Sequence, residues 1–194
     1  MARSSIRSLA ALAVGVIGLG AVAIKAGGDY FSRPIVPGQV EVFFSPKGGC
    51  TEAVVRELRK AKSSIYVQAY SFTNTEIAKA LVEAHRRGVK VSMVLDKSQE
   101  TEQYSEADFT SRAGIPTSID AAHAIAHNKV MIIDETTVVT GSFNFTNAAE
   151  QRNAENLVIL HESPALAAKY LANWKAHYGH SSQFARRAEH AKRR

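Results

Sequence analysis

His127 and Lys129 open the run His127-Asn-Lys129-Val-Met-Ile-Ile-Asp134-Glu-Thr-Thr-Val-Val-Thr-Gly141-Ser142-Phe-Asn144. Within it stand an imidazole, an ammonium, a hydroxyl and an amide, a set that suits a phosphodiester. Neutral imidazole is a competent nucleophile at neutral pH. Lysine offers charge to nonbridging phosphate oxygens, and Ser and Asn side chains offer hydrogen bonds. The expected roles are therefore nucleophilic for His127 and phosphate-binding for Lys129, Ser142 and Asn144.

These groups can act together only if the chain gathers them. Lys129–Ile133 and Thr137–Thr140 are apolar runs that predict a β-hairpin, and alternate residues of a strand share a face, so His127 and Lys129 do. A two-residue turn at Glu135-Thr136 would pair Asp134 with Thr137, Lys129 with Ser142 and His127 with Asn144, collecting all four groups on one patch. Glu-Thr is not a favoured tight-turn pair, and a slip of one residue would scatter the patch. Asp134 falls on the other face, roughly 20 Å or more from His127, and reads with Gly141 as a structural residue of the hairpin. Glu155, opening the next strand, is the better carboxylate to orient the imidazole.

Stepping outward along the chain, strands alternate with helices. Strands are expected at Val40–Phe44, Ile65–Phe72, Val89–Leu95, Ile115–Ile119 and Leu157–Leu160. Thr51 can cap a helix to about Ala61. Thr73-Asn74-Thr75 opens a helix to Arg87, closed by Gly88. Tyr104–Ala113 forms another, and Ser163-Pro164 starts one to about Tyr178. This alternation predicts an α/β fold, an α/β/α layered sandwich on a mixed, mostly parallel sheet.

The chain has 194 residues, 45% hydrophobic and 22% charged, which excludes a disordered or collagen-like protein. The single cysteine excludes an intramolecular disulfide and a multi-cysteine zinc site. The net charge of +6 is terminal: residues 1–26 carry +3 and the tail from Phe184 carries +4, leaving −1 for the middle. Basicity alone therefore does not mark the core as a nucleic-acid grip. Arg3 and Arg7 precede an uncharged apolar run from Ser8 to Ile24, which reads as a signal peptide over 1–26 that meets the translocon and exports the protein, or as a membrane anchor. Residues 27–38 read as a linker, 39–180 as the catalytic domain and 181–194 as a basic tail.

His127, Lys129, Asp134, Gly141, Ser142 and Asn144 match every position of the signature HxK, four residues, D, six residues, GSxN. In this the chain resembles the phospholipase D superfamily. Phe43-Phe-Ser-Pro, Cys50-Thr-Glu-Ala, Gln68-Ala-Tyr-Ser-Phe and Glu155-Asn156 look like its small single-motif members, the bacterial Nuc-type endonucleases and mitochondrial phospholipase D-like proteins, over roughly 39–178. The resemblance implies a phospholipase D-like fold and a two-step mechanism needing no metal or other cofactor. One histidine forms a phosphohistidine, while a second protonates the leaving oxygen and then activates water. His190-Ala-Lys192 repeats HxK too close to the chain end to be a second motif, so the second histidine must come from another subunit and a homodimer is implied.

Other residues carry weaker expectations. His123 and His127 could chelate a metal on a helix, but a strand sets them too far apart. His177 and His180 at a helix end should face solvent. Cys50 at a helix start could have a lowered pKa, though a small buried residue is the plainer reading. Phe143 and Phe145 read as core, and Gln68 and Ser71 as possible pocket lining. Gly48-Gly49-Cys50-Thr51 lacks the Gly-Lys-Ser/Thr of a nucleotide loop. The expected activity is a metal-independent phosphodiesterase, with nucleic acid as first substrate and phospholipid as second. The rival of another class is a non-catalytic dimeric binding protein.

Overall fold

A computed structural model describes residues 38–185. The signal or anchor segment and nearly all of the linker lie outside the described residues, as does the tail from 186. Two strands, β2 (Ser64–Ala69) and β3 (Lys90–Asp96), are buried along nearly their whole length, as strands covered on both faces must be. Around them lie β1 (Val40–Ser45), β4 (Thr117–Asp120), β5 (Lys129–Ile133), β6 (Thr137–Gly141), β7 (Glu155–Leu160) and β8 (Ser182–Gln183), in one eight-stranded sheet ordered β1-β7-β6-β5-β2-β3-β4-β8.

Helices α1 (Cys50–Lys60), α2 (Thr75–Arg86) and α3 (Ala107–Arg112) bury their apolar stripes with one face of the sheet, where Val54, Leu58, Ile77 and Leu81 meet Ile65, Val67, Met93 and Met131. The long α5 (Pro164–His180) covers the other face through Ala167, Leu171 and Trp174, against Tyr66, Val94, Val130 and Ile132. The indole of Trp174 donates to the Val67 carbonyl at 2.8 Å, which satisfies its one polar atom in that apolar layer. The α/β/α sandwich is thus as expected, and the sheet is mixed.

It is not mostly parallel. Only β2–β3 and β3–β4 run parallel; the other five pairings are antiparallel. The reason is in part local: β5 and β6 are joined by a tight turn, which only an antiparallel pair allows, and the chain then passes through α4 (Asn147–Gln151) to return as β7 antiparallel beside β6. The sheet also reaches past residue 180. β8 pairs with β4, and the Phe184 amide donates to Thr117 while its ring is buried, so these residues belong to the domain rather than to a tail.

Helix entry differs from expectation at one end. Asn74 caps α2, its side chain accepting from the Glu76 and Ile77 amides. Thr51 does not cap α1. The cap is Gly49, at φ 81, and the Glu150 carboxylate from α4 accepts from the Gly49 and Thr51 amides at 3.1 and 2.7 Å. A carboxylate there both fills open donors and opposes the helix dipole.

Asp134 performs the same service in a turn. Its carboxylate accepts from the amides of Lys62, Ser63 and Ser64 and from the Ser63 hydroxyl, tying the hairpin tip to the α1–β2 connection. Burial pushes its pKa up, but these hydrogen bonds outweigh that and hold it below the ordinary carboxylate value. A carboxyl whose folded pKa is depressed contributes stability above the unfolded value, and that stability is lost as pH falls toward the folded one. Asp134→Ala is expected to cost about 2 kcal/mol at neutral pH, with the gap from wild type closing in acid, as read by denaturant melts from pH 7 down to about 3. An unchanged gap across that range would contradict the role.

Candidate active site

The β5–β6 hairpin forms one residue out of the expected register. Ile133 pairs with Thr137 and Met131 with Val139, so the turn has three residues, with Asp134 and Glu135 at φ 51 and 55. The carboxylate anchorage of Asp134 holds it at that tip. Continued without a break, this register would set Lys129 opposite Gly141 and send Ser142 to the wrong face.

The break comes at Gly141. Its φ is 142, and the Asn156 carbonyl accepts from both the Ser142 and Phe143 amides at 3.1 Å. Two residues opposite one make a β-bulge, which resets the alternation. A Cβ at 141 would lie 2.3 Å from that carbonyl oxygen, so the motif's glycine is a steric requirement. Beyond the bulge Phe143 and Phe145 are fully buried, as their core reading required, and Ser142 and Asn144 remain half-buried.

The segment then crosses the end of the sheet. The Phe145 carbonyl accepts from the Thr73 and Asn74 amides, just past β2. Running from β7 to β2, residues 142–145 pass over the start of β5, where His127 and Lys129 sit. Asn144 Oδ1 is buried there without a hydrogen-bond partner. Ser142 Oγ accepts from the Asn156 amide at 3.0 Å and from Asn156 Nδ2 at 3.3 Å, leaving its own O–H to donate.

The strand ladder ends as the Tyr70 amide donates to Asn128, which leaves the His127 side chain exposed beyond it. The imidazole stands edge-on to the Tyr70 ring at 4.6 Å between centroids. Lys129 is only 7% exposed; its Nζ donates to the His127 carbonyl at 2.9 Å and lies 5.2 Å from the Tyr70 ring centre. Burial lowers the pKa of that ammonium, and the Glu155 charge works against the shift. Glu155 opens β7 opposite Ser45 and accepts from Asn153 Nδ2 at 3.2 Å. His127, Lys129, Ser142, Asn144 and Glu155 therefore collect at one end of the sheet, and Asp134 lies at the other.

Sequence reasoning passed over Tyr70 and Asn156 as parts of this assembly. Each stands inside a segment that matches the family pattern, but a single tyrosine or asparagine carries no signal of its partner. Gln68 is buried with Nε2 unpartnered. Cys50 is fully buried, and burial, reinforced by Glu150, pushes its thiol up to about 11, the reverse of an activated cysteine. His177 and His180 do not simply face solvent. With His123 they surround the buried Asp120, whose carboxyl burial would raise but whose hydrogen bonds from His177, His123 and His180 hold well below the ordinary range.

Residues 54–178 match the family model described as cardiolipin synthase, PLD-like domain. The chain belongs to the phospholipase D superfamily. A phospholipase D of Rickettsia typhi is 50% identical over 135 residues, covering 70% of this chain and 66% of that protein. A mitochondrial cardiolipin hydrolase of Danio rerio is 32% identical over 128 residues, 63% of this chain and 56% of its own length. The chain thus spans about two-thirds or less of these relatives. The crystal structure of a phospholipase D family member, Nuc from Salmonella typhimurium, has 41% identity and a TM-score of 0.73, covering 76% of this chain and 98% of that one. This superfamily member is a hydrolase acting on phosphodiester bonds, and it carries that superfamily's layered fold and mixed sheet.

Proposed function

We propose that this phospholipase D superfamily member hydrolyses the phosphodiester of a phospholipid head group, through a phosphohistidine on His127. What carries the reading is the convergence of an exposed imidazole, a buried ammonium and an unpartnered amide oxygen at one end of the sheet. An imidazole nitrogen of His127 attacks phosphorus and the bond to the leaving alkoxide breaks. The second copy's His127 protonates that oxygen, then takes a proton from water as the water displaces phosphate from nitrogen. Lys129 supplies fixed charge, Ser142 and Asn144 hydrogen bonds, and Glu155 orientation. Export by the N-terminal segment and a homodimer complete the proposal.

Lipid is placed ahead of nucleic acid, reversing the order expected from sequence. The curated relatives described above are named phospholipase D and mitochondrial cardiolipin hydrolase. The middle of the chain carries −1, a poor surface for a polyanion. Phe44 beside Ser45 and Ile125 before His127 are 67% and 55% exposed, apolar groups suited to a lipid surface. Nucleic acid remains the second reading because of the likeness to Nuc.

The test is a panel of phosphatidylcholine, cardiolipin, single-stranded DNA, duplex DNA and RNA, each with excess EDTA. Head-group release without metal is the expected result. Turnover of DNA or RNA alone would reverse the order again, and loss of all turnover in EDTA that magnesium restores and zinc does not would overturn the histidine mechanism.

Glu155 gives a pH prediction. Burial lowers the Lys129 pKa and Glu155 opposes the shift, so removing the carboxylate lowers that pKa further. Glu155→Gln is expected to move the alkaline limb of kcat/KM to lower pH. A limb that stays in place or moves up would remove Lys129 as the group setting it.

A further inference from the structure

Away from the phosphodiester site, three imidazoles converge on one buried carboxylate. Asp120 ends β4 with its side chain fully buried. His177 Nδ1 lies 2.6 Å from Asp120 Oδ2, His123 Nδ1 3.1 Å and His180 Nε2 3.3 Å. All four ligand atoms lie within 4.8 Å of one another. His177 and His180 are three apart on the last turn of α5 and so share a helix face. His123 comes from the 121–128 loop, more than fifty residues away in sequence.

We propose that Asp120, His123, His177 and His180 form a zinc site that staples the 121–128 loop to the end of α5. Zinc is bound tetrahedrally by imidazole nitrogen and carboxylate oxygen at about 2.0–2.1 Å, which sets ligand atoms roughly 3.3 Å apart; the His123 and His180 spacings to Asp120 are close to that, and the 2.6 Å His177–Asp120 hydrogen bond would open to admit the ion. Three nitrogens and one oxygen suit zinc better than the all-oxygen shells of calcium or magnesium. Two features of the surroundings favour a cation. The carboxylate is out of water, and the C-terminal carbonyls of α5 carry partial negative charge. The other trio with ligand spacing, Glu41, Glu57 and His161, is different in kind, because Arg56 and Lys60 already pair with its carboxylates.

Four protein ligands leave no open position, so the ion is structural and takes no part in the hydrolysis. What it fixes is the loop that ends at His127. The Asp96 carboxylate on the Ala126 amide at 2.7 Å and Lys97 Nζ on the His123 carbonyl at 3.1 Å are among the other bonds that hold that loop. The inference does not depend on which phosphodiester is cleaved.

The experiment uses the full chain, stripped with chelator, incubated with zinc sulfate, desalted and assayed for metal. One zinc per chain is expected in wild type, and a tenth of that or less in His123→Ala/His180→Ala. Both imidazoles are half exposed, so the variant can fold without them; His180→Ala alone is expected to bind more weakly and is the second variant if the double one unfolds. Zinc at about a hundredfold over its dissociation constant should raise the wild-type Tm by roughly 5 °C or more and leave the double variant unmoved. Cobalt in place of zinc should give the intense visible absorption of a four-coordinate ion. Wild type that retains no zinc, variants that retain as much as wild type, or a weak six-coordinate cobalt spectrum would each overturn the site and leave a hydrogen-bonded cluster only.

Discussion

His127→Ala is expected to lower kcat/KM by at least about a thousandfold on every phosphodiester the protein accepts, with Tm unchanged to within a degree or two. The two halves of that expectation have separate grounds. The His127 side chain is exposed, and its ring contact is a T-shaped one with Tyr70, so truncation opens no cavity. The backbone carbonyl that receives the Lys129 ammonium survives the substitution. Loss of the imidazole removes the nucleophile itself, and no neighbouring group replaces it: Cys50 is buried with a raised pKa. Turnover within about tenfold of wild type would sink the covalent mechanism. So would equal loss accompanied by unfolding, which would make His127 a structural residue. A protein that lost turnover yet bound substrate as before would match the chemistry proposed.

Elements that depend on neighbours in sequence were legible. The helix start at Thr73-Asn74-Thr75, the one at Ser163-Pro164 and the strands β2 and β3 each state their conformation within a few residues. The grouping of His127 with Ser142 and Asn144 was expected for a register that does not occur. The expectation survived because two departures cancel: the hairpin slips by one residue at Asp134-Glu135, and the bulge at Gly141 restores the alternation. Neither departure is visible locally, since the first is set by backbone donors at 62–64 and the second by the carbonyl of Asn156. The cap on α1 was missed for the same reason. Glu150 lies about a hundred residues from the helix it completes. The parallel character of the sheet was overestimated because strand–helix alternation was read as repeated crossover, whereas β5, β6 and β7 follow one another antiparallel. The meeting of His123 with His177 and His180 needs β4 and the end of α5 to be neighbours, which only the tertiary fold supplies.

Mixing wild-type and His127→Ala chains should expose the second subunit. One imidazole cannot be both the covalent nucleophile and the acid on the leaving oxygen, because the two act on opposite sides of phosphorus. The described residues bring one HxK histidine to the site; in the proposed homodimer the acid is the second copy's His127, with the two-fold axis between the two side chains facing one phosphate. Equal amounts of the two chains, unfolded and refolded together, yield half heterodimers. If each active centre needs both imidazoles, activity should fall to about a quarter of the wild-type value; if each chain carries its own complete site, it should fall only to about half. The position of His127 suits the shared arrangement. It stands exposed at the sheet's end, with Lys129 and Asn144 set deeper behind it, so a second copy can approach from the open side. Activity near half, or full activity from a chain shown to be monomeric at assay concentration, would defeat the shared site. It would then require a second acid within one chain, and His123 would be the residue to replace next.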